Sequence, residues 1–273
     1  MNIEVLVSTM NIKDKQEAIR LFQDMNIKGK AVMINQITDK KIQQTLEENE
    51  EKRIYSYYEK GLSKSRNKAI EKMEADIGVF ADDDVVYCDN YEQIIKQAYE
   101  TYKEADIIAF DMESSNPKRP IRKHRSHKVN YITAMQIQSV QITFRKSNNL
   151  RLEEEFGAGA KYKFGEENIL LYDCIKQGKK IYYVNEKIGT VSHQNSTWYT
   201  KMDKEFLQCE GAVLYRINKK IYWILILQYA VRKRNEHNMS IKKAIKYLYQ
   251  GAKEYKEDIK KEWNICKAGK YTK

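Results

Sequence analysis

The chain has 273 residues, a net charge of +11, 42% hydrophobic residues and 20 tyrosines. This length accommodates one large domain, or a domain with an extension, and the apolar content excludes intrinsic disorder. The longest apolar run, residues 221–231, has 11 residues, whereas a membrane span takes about 20. Four isolated cysteines without zinc-ligand spacing, and an N-terminus that reads as a strand, favour a cytoplasmic protein with free thiols.

The positive charge is concentrated at the C-terminal end. Residues 219–273 contain 15 Lys and Arg against 5 Asp and Glu, a net of +10, so the preceding 218 residues carry only +1. A lysine-rich solvated helix face explains such a count, and so does attachment to the anionic inner face of a cell membrane. A nucleic acid or an anionic protein is the least favoured partner, and no nucleic acid is expected.

The hydrophobic pattern predicts alternating strands and helices over the first 110 residues. The predicted strands are 3–9, 31–37, 53–57, 76–81 and 106–110, and the predicted helices are 13–25, 39–52, 63–73 and 90–103. Further on we predict strands at 137–145 and 180–184, a helix at 166–176, and only helices from about 201. This alternation predicts an α/β fold with a mostly parallel mixed sheet flanked by helices.

The same pattern suggests a division of the chain into a large α/β domain and an extension. We assign residues 1–200 to the α/β domain, with a nucleotide-binding half at 1–112 and a second half at 113–200. Residues 201–273 form a basic helical C-terminal extension.

A glycine turn followed by a helix start stands at residues 61–67, Gly-Leu-Ser-Lys-Ser-Arg-Asn. Ser63 is a candidate N-cap, and Arg66 lies one turn into the helix. Backbone N–H groups at a helix start, together with an arginine, form a seat for phosphate.

Three consecutive carboxylates, Asp82, Asp83 and Asp84, close the predicted strand 76–81. Ligands of open α/β sheets bind at the carboxyl ends of strands. Hard cations such as Mg²⁺ and Mn²⁺ take oxygen ligands and are often held by one or two carboxylates plus substrate phosphates. The sequence therefore predicts a divalent cation here, the alternative being an acidic turn that only ends the strand.

Two glutamates, Glu166 and Glu167, begin the predicted helix 166–176, where the helix dipole alone favours them. Farther along, His193 follows a short strand and Trp198 follows it in turn. A histidine at a strand end is often structural, and a tryptophan is as often a core residue as a ligand contact.

Taken together, these motifs resemble the family 2 glycosyltransferases of the GT-A fold, in their bacterial form. The resemblance covers roughly residues 1–200 and rests on the order and spacing of the motifs: strand 5–9, residues 61–67, the aspartates 82–84, and the acceptor-side segments 144–147, 157–159 and 164–168. Two departures from the family pattern stand out. The family's Glu-Asp pair is Glu166-Glu167 here, and the second strand ends in Asn35-Gln36 where many members have aspartates.

The resemblance implies an inverting transferase that moves a sugar from a nucleotide diphosphate sugar, by preference a UDP-sugar, with Mn²⁺ or Mg²⁺. Asp84 is then the metal ligand, with His193 a further one, and Glu167 is the general base with Glu166 the runner-up. Trp198 would stack on the acceptor, which is a glycan, a lipid-linked glycan or a glycoprotein. The implied donor contacts are Thr9, Asn11, Gln36, Gly61, Arg66, Asn67, Asp82, Asp83 and Gly159.

Other classes of protein fit the motifs less well. A nucleotidyltransferase would have a glycine-rich loop after the first strand, whereas residues 8–11 are Ser-Thr-Met-Asn. A glycoside hydrolase also uses two carboxylates, but it does not need the arginine-bearing helix start or the three aspartates. A basic membrane-surface binding protein without enzymatic activity would leave the acidic motifs unexplained.

Overall fold

The structure is a computed structural model that describes residues 1–43, 46–48, 51–115, 121, 124–147, 149–192 and 201–267, without the side chains of 46–48 and 262–267. The chain divides into two compact units. The first comprises Met1–Ala160 and Glu166–Ser196, and the second comprises Lys161–Gly165 and Thr197–Lys273. The short segment Lys161–Gly165 belongs to the second unit, and not to the α/β domain that the sequence predicts for it.

The first unit is built on one ten-stranded mixed sheet. Its strands are β1 (Ile3–Met10), β2 (Lys30–Gln36), β3 (Leu46–Glu48), β4 (Lys52–Tyr57), β5 (Ile77–Asp82), β6 (Val85–Tyr87), β7 (Ile107–Ser114), β8 (His127–Lys128), β9 (Ile142–Arg145) and β10 (Ile181–Val191). Its helices are α1 (Lys15–Asp24), α2 (Leu62–Lys72), α3 (Tyr91–Thr101), α4 (Tyr131–Ala134) and α5 (Glu166–Lys176), with a 3₁₀ turn at Ser139–Gln141.

The sheet has the order β3-β4-β2-β1-β5-β9-β7-β10-β6, with β8 paired to β10. The long ladders, β4–β2, β2–β1, β1–β5 and β7–β10, are parallel, and the short ones are antiparallel. From β1 the chain moves outward through β2 to β4 and then returns to β5 on the other side of β1. This reversal creates a crevice at the carboxyl ends of β1 and β5, the place where open α/β sheets bind ligands.

Strand alternation gives the sheet two apolar faces. Val5 and Val7 of β1 pack in a core with Phe22 of α1 and Ile95 of α3. Leu6, between them, belongs to a second core together with residues of α2, α4 and α5. Because successive strand residues point to opposite faces, one strand serves both cores. The predicted α/β class with a mostly parallel mixed sheet is confirmed.

Three of the predicted elements differ from the structure. The predicted helix 39–52 is wrong, since Leu46–Glu48 pairs antiparallel with β4 at the sheet edge. Ladder hydrogen bonds there override the helix propensity of a Gln- and Glu-rich segment. The predicted strand 137–145 begins only at Ile142, after the 3₁₀ turn, and the strand predicted at 180–184 continues to Val191 through two register shifts.

The second unit contains three helices, α6 (Lys204–Ile217), α7 (Tyr222–Arg232) and α8 (Ile241–Lys267). Leu207 and Val213 of α6 are buried, as are Ala244 and Leu248 of α8. Of the helices in the described part of the chain, none has both the length and the apolar content that crossing a bilayer requires.

Two glycines allow α6 and α8 to pack at backbone contact. A Cβ on Gly211 would overlap the carbonyl of Leu248, and a Cβ on Gly251 would overlap the carbonyl of Gln208. A methyl group at either position therefore meets backbone atoms, which cannot rotate away as a side chain can.

We predict that Gly211→Ala destabilises the protein by about 1–3 kcal/mol or more, the usual cost of overpacking, although alanine has the higher helix propensity. Urea unfolding followed by circular dichroism measures the change. Lys253→Ala, at an exposed position of α8, is the control and should change the unfolding free energy by less than about 0.5 kcal/mol. Equal stability of Gly211→Ala and the parent would contradict the close helix contact.

Candidate active site

The centre of the candidate site is Arg66, a completely buried guanidinium in the second turn of α2. Its Nη2 donates to Asp82 Oδ1 at 2.7 Å and to Ser139 Oγ at 2.9 Å, and its Nη1 donates to Glu166 Oε1 at 2.9 Å. Phe80 lies against the guanidinium, 5.6 Å from ring centroid to Cζ. The two carboxylates raise the pKa of Arg66 against the opposing effect of its burial.

Glu167 lies beside this ion network and is itself buried. Burial raises the pKa of the Glu167 carboxyl well above its ordinary value, and the negative charge of Glu166 adds to that effect, whereas Arg66 opposes it. Glu167 Oε2 and Glu166 Oε2 are buried without a hydrogen-bond partner. The pair is thus differentiated: Glu166 is bound to Arg66, and Glu167 retains a proton to a higher pH than an ordinary glutamate.

The second aspartate of the motif, Asp83, is bound to the end of β1. Its Oδ2 accepts a 2.7 Å hydrogen bond from Thr9 Oγ1. Although its side chain keeps solvent contact, the surrounding protein raises the pKa of the Asp83 carboxyl, and the charge of Asp82 adds to this, while the Thr9 bond opposes it. Thr9 and Asp83, which are 74 positions apart, therefore meet at the crevice between β1 and β5.

The third aspartate, Asp84, is hydrogen-bonded through its backbone to the residue that follows β10. The backbone carbonyl of Asp84 accepts a 3.0 Å hydrogen bond from the N–H of Ser192. Ser192 immediately precedes His193, the predicted second metal ligand, which lies outside the described residues, as does Trp198.

The donor set at residues 82–84 fits a hard divalent cation. All the side-chain donors are carboxylate oxygens, and one oxygen of Asp82 and one of Asp83 are already committed to Arg66 and Thr9. Within the described residues no group of three or more His, Cys, Asp or Glu is arranged to hold a metal. A Mg²⁺ site that substrate phosphates complete needs only one or two protein carboxylates, and a metal at residues 82–84 stays a prediction.

Polar side chains of β1 and β2 tie the neighbouring loops together. Asn11, with a positive φ of 58°, accepts from the N–H of Thr38 at 2.8 Å. Asn35 is fully buried and bonds both the N–H and the carbonyl of Ile12. Gln36 Oε1 accepts from the N–H of Gly61 at 2.7 Å. The two amides that end β2 therefore fix the geometry of the neighbouring loops.

The glycine turn at residue 61 and the segment that begins at Phe156 are in hydrogen-bonded contact. Gly61 is the N-cap of α2 with φ 140°, a conformation that favours glycine, and Leu62 N–H donates to the carbonyl of Ala158. Ser63 is not the cap, since its hydroxyl donates to the carbonyl of Phe156 at 2.6 Å. A Cβ on Gly157 would come within 2.9 Å of Ser63 Oγ and 3.3 Å of Glu166 Cδ.

Two residues that were expected to contact the donor form hydrogen bonds inside the protein instead. Arg66, expected at phosphate, is completely buried among Asp82, Glu166 and Ser139, so it orients carboxylates instead. Asn67, also buried, bonds the carbonyl of Leu152 at 3.0 Å and its N–H at 2.8 Å. Both corrections have one cause: the face of α2 that carries these side chains turns into the protein.

The remaining predicted residues are brought to one edge of the sheet. Thr9, Asn11, Gln36 and Gly61 lie at the carboxyl ends of β1 and β2 and at the start of α2. Gly159 has φ 84°, and a Cβ there would approach Lys60 Cγ at 3.0 Å and the Gly61 nitrogen at 3.3 Å. Sequence reasoning missed Ser139, because nothing in its local pattern indicates that it binds Arg66.

Comparison with known proteins identifies the fold. No protein-family model matches the chain, and no curated protein matches it by sequence. The chain is similar to S. aureus TarS 1–349 in complex with UDP-GlcNAc, with a TM-score of 0.60 and 13% identity over 86% of this chain and 73% of that one.

A second TarS 1–349 structure gives a TM-score of 0.56 at 10% identity over 94% and 92% of the two chains, and a longer TarS chain is covered to 43%. At identities this low, the structural similarity establishes a shared fold and nothing beyond it. The glycosyltransferase-type fold expected from the sequence is thereby confirmed, and membership of family 2 stays a prediction.

We predict that Arg66→Met costs about 3–5 kcal/mol of stability, because it leaves Asp82 and Glu166 without their buried cation. Arg151→Met is the matched control: Arg151 is 65% exposed and pairs with Glu154 at 2.7 Å, and losing such a surface pair costs about 1 kcal/mol or less. Urea unfolding of the two variants and the parent measures both effects. Similar losses in the two variants would contradict the central role of Arg66.

Proposed function

We propose that the chain is an inverting, metal-dependent glycosyltransferase that takes its sugar from a UDP-sugar. The observation that carries the proposal is the meeting of Glu167, the Arg66-bound carboxylates and the Thr9–Asp83 pair at the carboxyl edge of one sheet. A protein of the same fold, S. aureus TarS, has been solved in complex with UDP-GlcNAc and with UDP.

On the donor side, the crevice between β1 and β5 is where the nucleotide would bind. Thr9, Asn11 and Gln36 line the strand ends that would face the base and ribose. The amide oxygens of Asn11 and Gln36 are already bonded to the N–H groups of Thr38 and Gly61, so these two residues would shape that end of the crevice. Asp82 and Asp83 are held in fixed orientations by Arg66 and Thr9. Pre-oriented groups of this kind lose little freedom when the donor binds.

Asp84 is the proposed metal ligand, with His193 as a further one. A divalent cation bound there would neutralise the charge that develops on the departing diphosphate. Arg66 does not contact the donor in this proposal. It acts as a positioning residue that holds Asp82 and Glu166 in place next to the crevice.

On the acceptor side, Glu167 is the proposed general base. Transfer with inversion requires that a carboxylate remove the proton of the attacking hydroxyl as the bond to the anomeric carbon forms. A base works best when its pKa is near the working pH, and burial together with Glu166 moves the pKa of Glu167 upward. Trp198 is the proposed stacking surface for an acceptor sugar, which belongs to a glycan, a lipid-linked glycan or a glycoprotein.

A thermal-shift series identifies the donor class. We expect UDP and UDP-sugars with Mn²⁺ to raise the melting temperature more than GDP-, CMP- or dTDP-sugars, because ligand at 100 times its Kd stabilises by about 2.7 kcal/mol. Release of free UDP only when an acceptor is added then distinguishes a transferase from a hydrolase or a nucleotidyltransferase. UDP release that is independent of any acceptor would contradict the proposal.

We predict that UDP binding requires a divalent cation and that Asp84→Ala abolishes this requirement together with turnover. Calorimetric titration of UDP in Mn²⁺ and in EDTA measures the dependence. Asp76→Ala is the control: this carboxylate follows α2 at the opposite end of β5 and binds the N-terminal backbone, so its loss should leave the metal dependence intact. Equal UDP affinity in Mn²⁺ and EDTA for the parent would refute the metal assignment.

We predict that Glu167→Gln lowers kcat at least about 100-fold while the Kd of the donor is unchanged, as loss of a general base requires. Activity of the parent should rise with pH through the raised pKa of Glu167, since only the ionised form accepts a proton, and this limb should be absent in the variant. Glu166→Gln should lose less activity and more stability, because Glu166 pairs with Arg66. The reverse ranking would move the base to Glu166.

A further inference from the structure

Helix α7 of the second unit has two neighbouring apolar faces, one buried and one exposed. Ile226, Tyr229 and Ala230 are buried within the protein. On the exposed face, Trp223 is 54% exposed, Ile224 44%, Leu227 44% and Val231 49%. At about 100° per residue these four side chains fall within an arc of about 100°, and its centre is about 120° from the centre of the buried arc. The exposed Gln228 and Arg232 occupy the remaining side, and an exposed apolar stripe of this kind marks an interaction surface.

Basic residues flank the exposed stripe at both ends. Lys219 and Lys220 precede α7, and Arg232, Lys233 and Arg234 follow the stripe, with no acidic residue between 211 and 235. The two flanks of the apolar surface are thus basic in sequence, although Glu236 pairs with Lys233 at 2.7 Å. At about 1.5 Å per residue the helix is roughly 16 Å long, which suits a position in the plane of an interface.

Helix α8 carries a stripe of exposed, mostly cationic residues. Six exposed residues recur at alternating spacings of four and three, which places them on one face of the helix: Lys242, Lys246, Tyr249, Lys253, Lys256 and Lys260. Tyr249 stacks on Tyr222 at the start of α7, with 6.4 Å between ring centroids, so the stripe adjoins α7.

The acidic residues of α8 offset this stripe only in part, since among the described residues Glu257 pairs with Lys253 alone, at 3.9 Å. Glu254 and Asp258 both bind Lys161, at 3.2 Å and 2.6 Å from its Nζ. They occupy the flank of the helix that faces the segment Lys161–Gly165, whereas the lysines of the stripe point to solvent.

We propose that the second unit is a docking surface for an anionic lipid bilayer. Trp223, Ile224, Leu227 and Val231 enter the headgroup boundary, and the basic flanks together with the α8 stripe bind lipid phosphates. Tyr222 and Tyr249 then lie at the depth where amphipathic aromatic rings are favoured. The proposal does not depend on which reaction the first unit catalyses.

Charge decides between a bilayer and a second copy of the chain as the occupant. A two-fold dimer through this surface would bring the same patch of both copies together, so the cationic rims of two identical stripes would face each other and repel. Anionic lipid supplies the complementary charge on all sides of the stripe, and its acyl region supplies an apolar environment for the centre.

The test is flotation of the full-length chain with vesicles of phosphatidylcholine alone or with 30% phosphatidylglycerol, a composition of about that order being enough to give a negative surface potential. We expect binding at least about tenfold stronger to the anionic vesicles, weakened by added salt. Trp223→Ser with Leu227→Ser should reduce it at least about tenfold, and so should Lys242→Glu with Lys246→Glu.

Matched controls remove similar groups from the first unit. Ile132→Ser with Val86→Thr changes apolar residues that are 70% and 45% exposed, and Lys103→Glu with Lys180→Glu makes the same change in net charge at the amino ends of β7 and β10. Both control variants should bind like the parent. Melting curves confirm that each variant is folded. If Trp223→Ser with Leu227→Ser does not fold, Lys242→Glu with Lys246→Glu still tests the proposal.

Three outcomes would overturn the proposal. The first is equal flotation of the parent and of both second-unit variants. The second is equal loss of flotation in the control variants, which would show that net charge alone is responsible. The third is a concentration-dependent dimer that Trp223→Ser with Leu227→Ser dissociates, without vesicle binding by the parent, which would assign the surface to a second copy. Quenching of Trp223 by brominated lipid, absent in Trp223→Phe, would support insertion.

Discussion

The buried guanidinium of Arg66 is the interaction on which the candidate site depends. One cation joins a helix, the end of a strand, a 3₁₀ turn and the start of a second helix through Asp82, Ser139 and Glu166. Without it Glu166, whose side chain is 1% exposed, would be a buried charge with no cation beside it, and such a charge is severely penalised. The direction of Asp82 toward the crevice, and the neighbour that raises the pKa of Glu167, are both consequences of where this single side chain lies.

The network also explains how two adjacent glutamates come to differ. Glu166 and Glu167 follow each other at the start of α5, yet only Glu166 reaches Arg66. The compensated carboxylate then acts on its neighbour as a fixed negative charge. Burial and this adjacent charge together raise the pKa of Glu167, and environments of this kind are how proteins commonly tune one member of a carboxylate pair.

Local patterns in the sequence were sufficient to predict the sheet, most of the strand positions and the edge of the sheet where the motifs meet. They failed where a tertiary contact decides: the segment Leu46–Glu48 became a strand only because β4 lies beside it. They also could not tell which way α2 is turned, so Arg66 and Asn67 were expected at the donor and lie inside the protein. Ser139 was missed because its partner is 73 positions away.

The long chain separations within the site bear on the order of folding. Arg66 and Glu166 are 100 positions apart, and Thr9 and Asp83 are 74 apart. Contacts of this kind form slowly, since large loops must close before the contacts stabilise anything. The β1–β2 ladder, between strands close in sequence, can form earlier. During refolding, secondary structure should therefore return before the site is assembled. In a newly synthesised chain, strands β1 to β9 emerge before residues 166 and 167, which complete the centre.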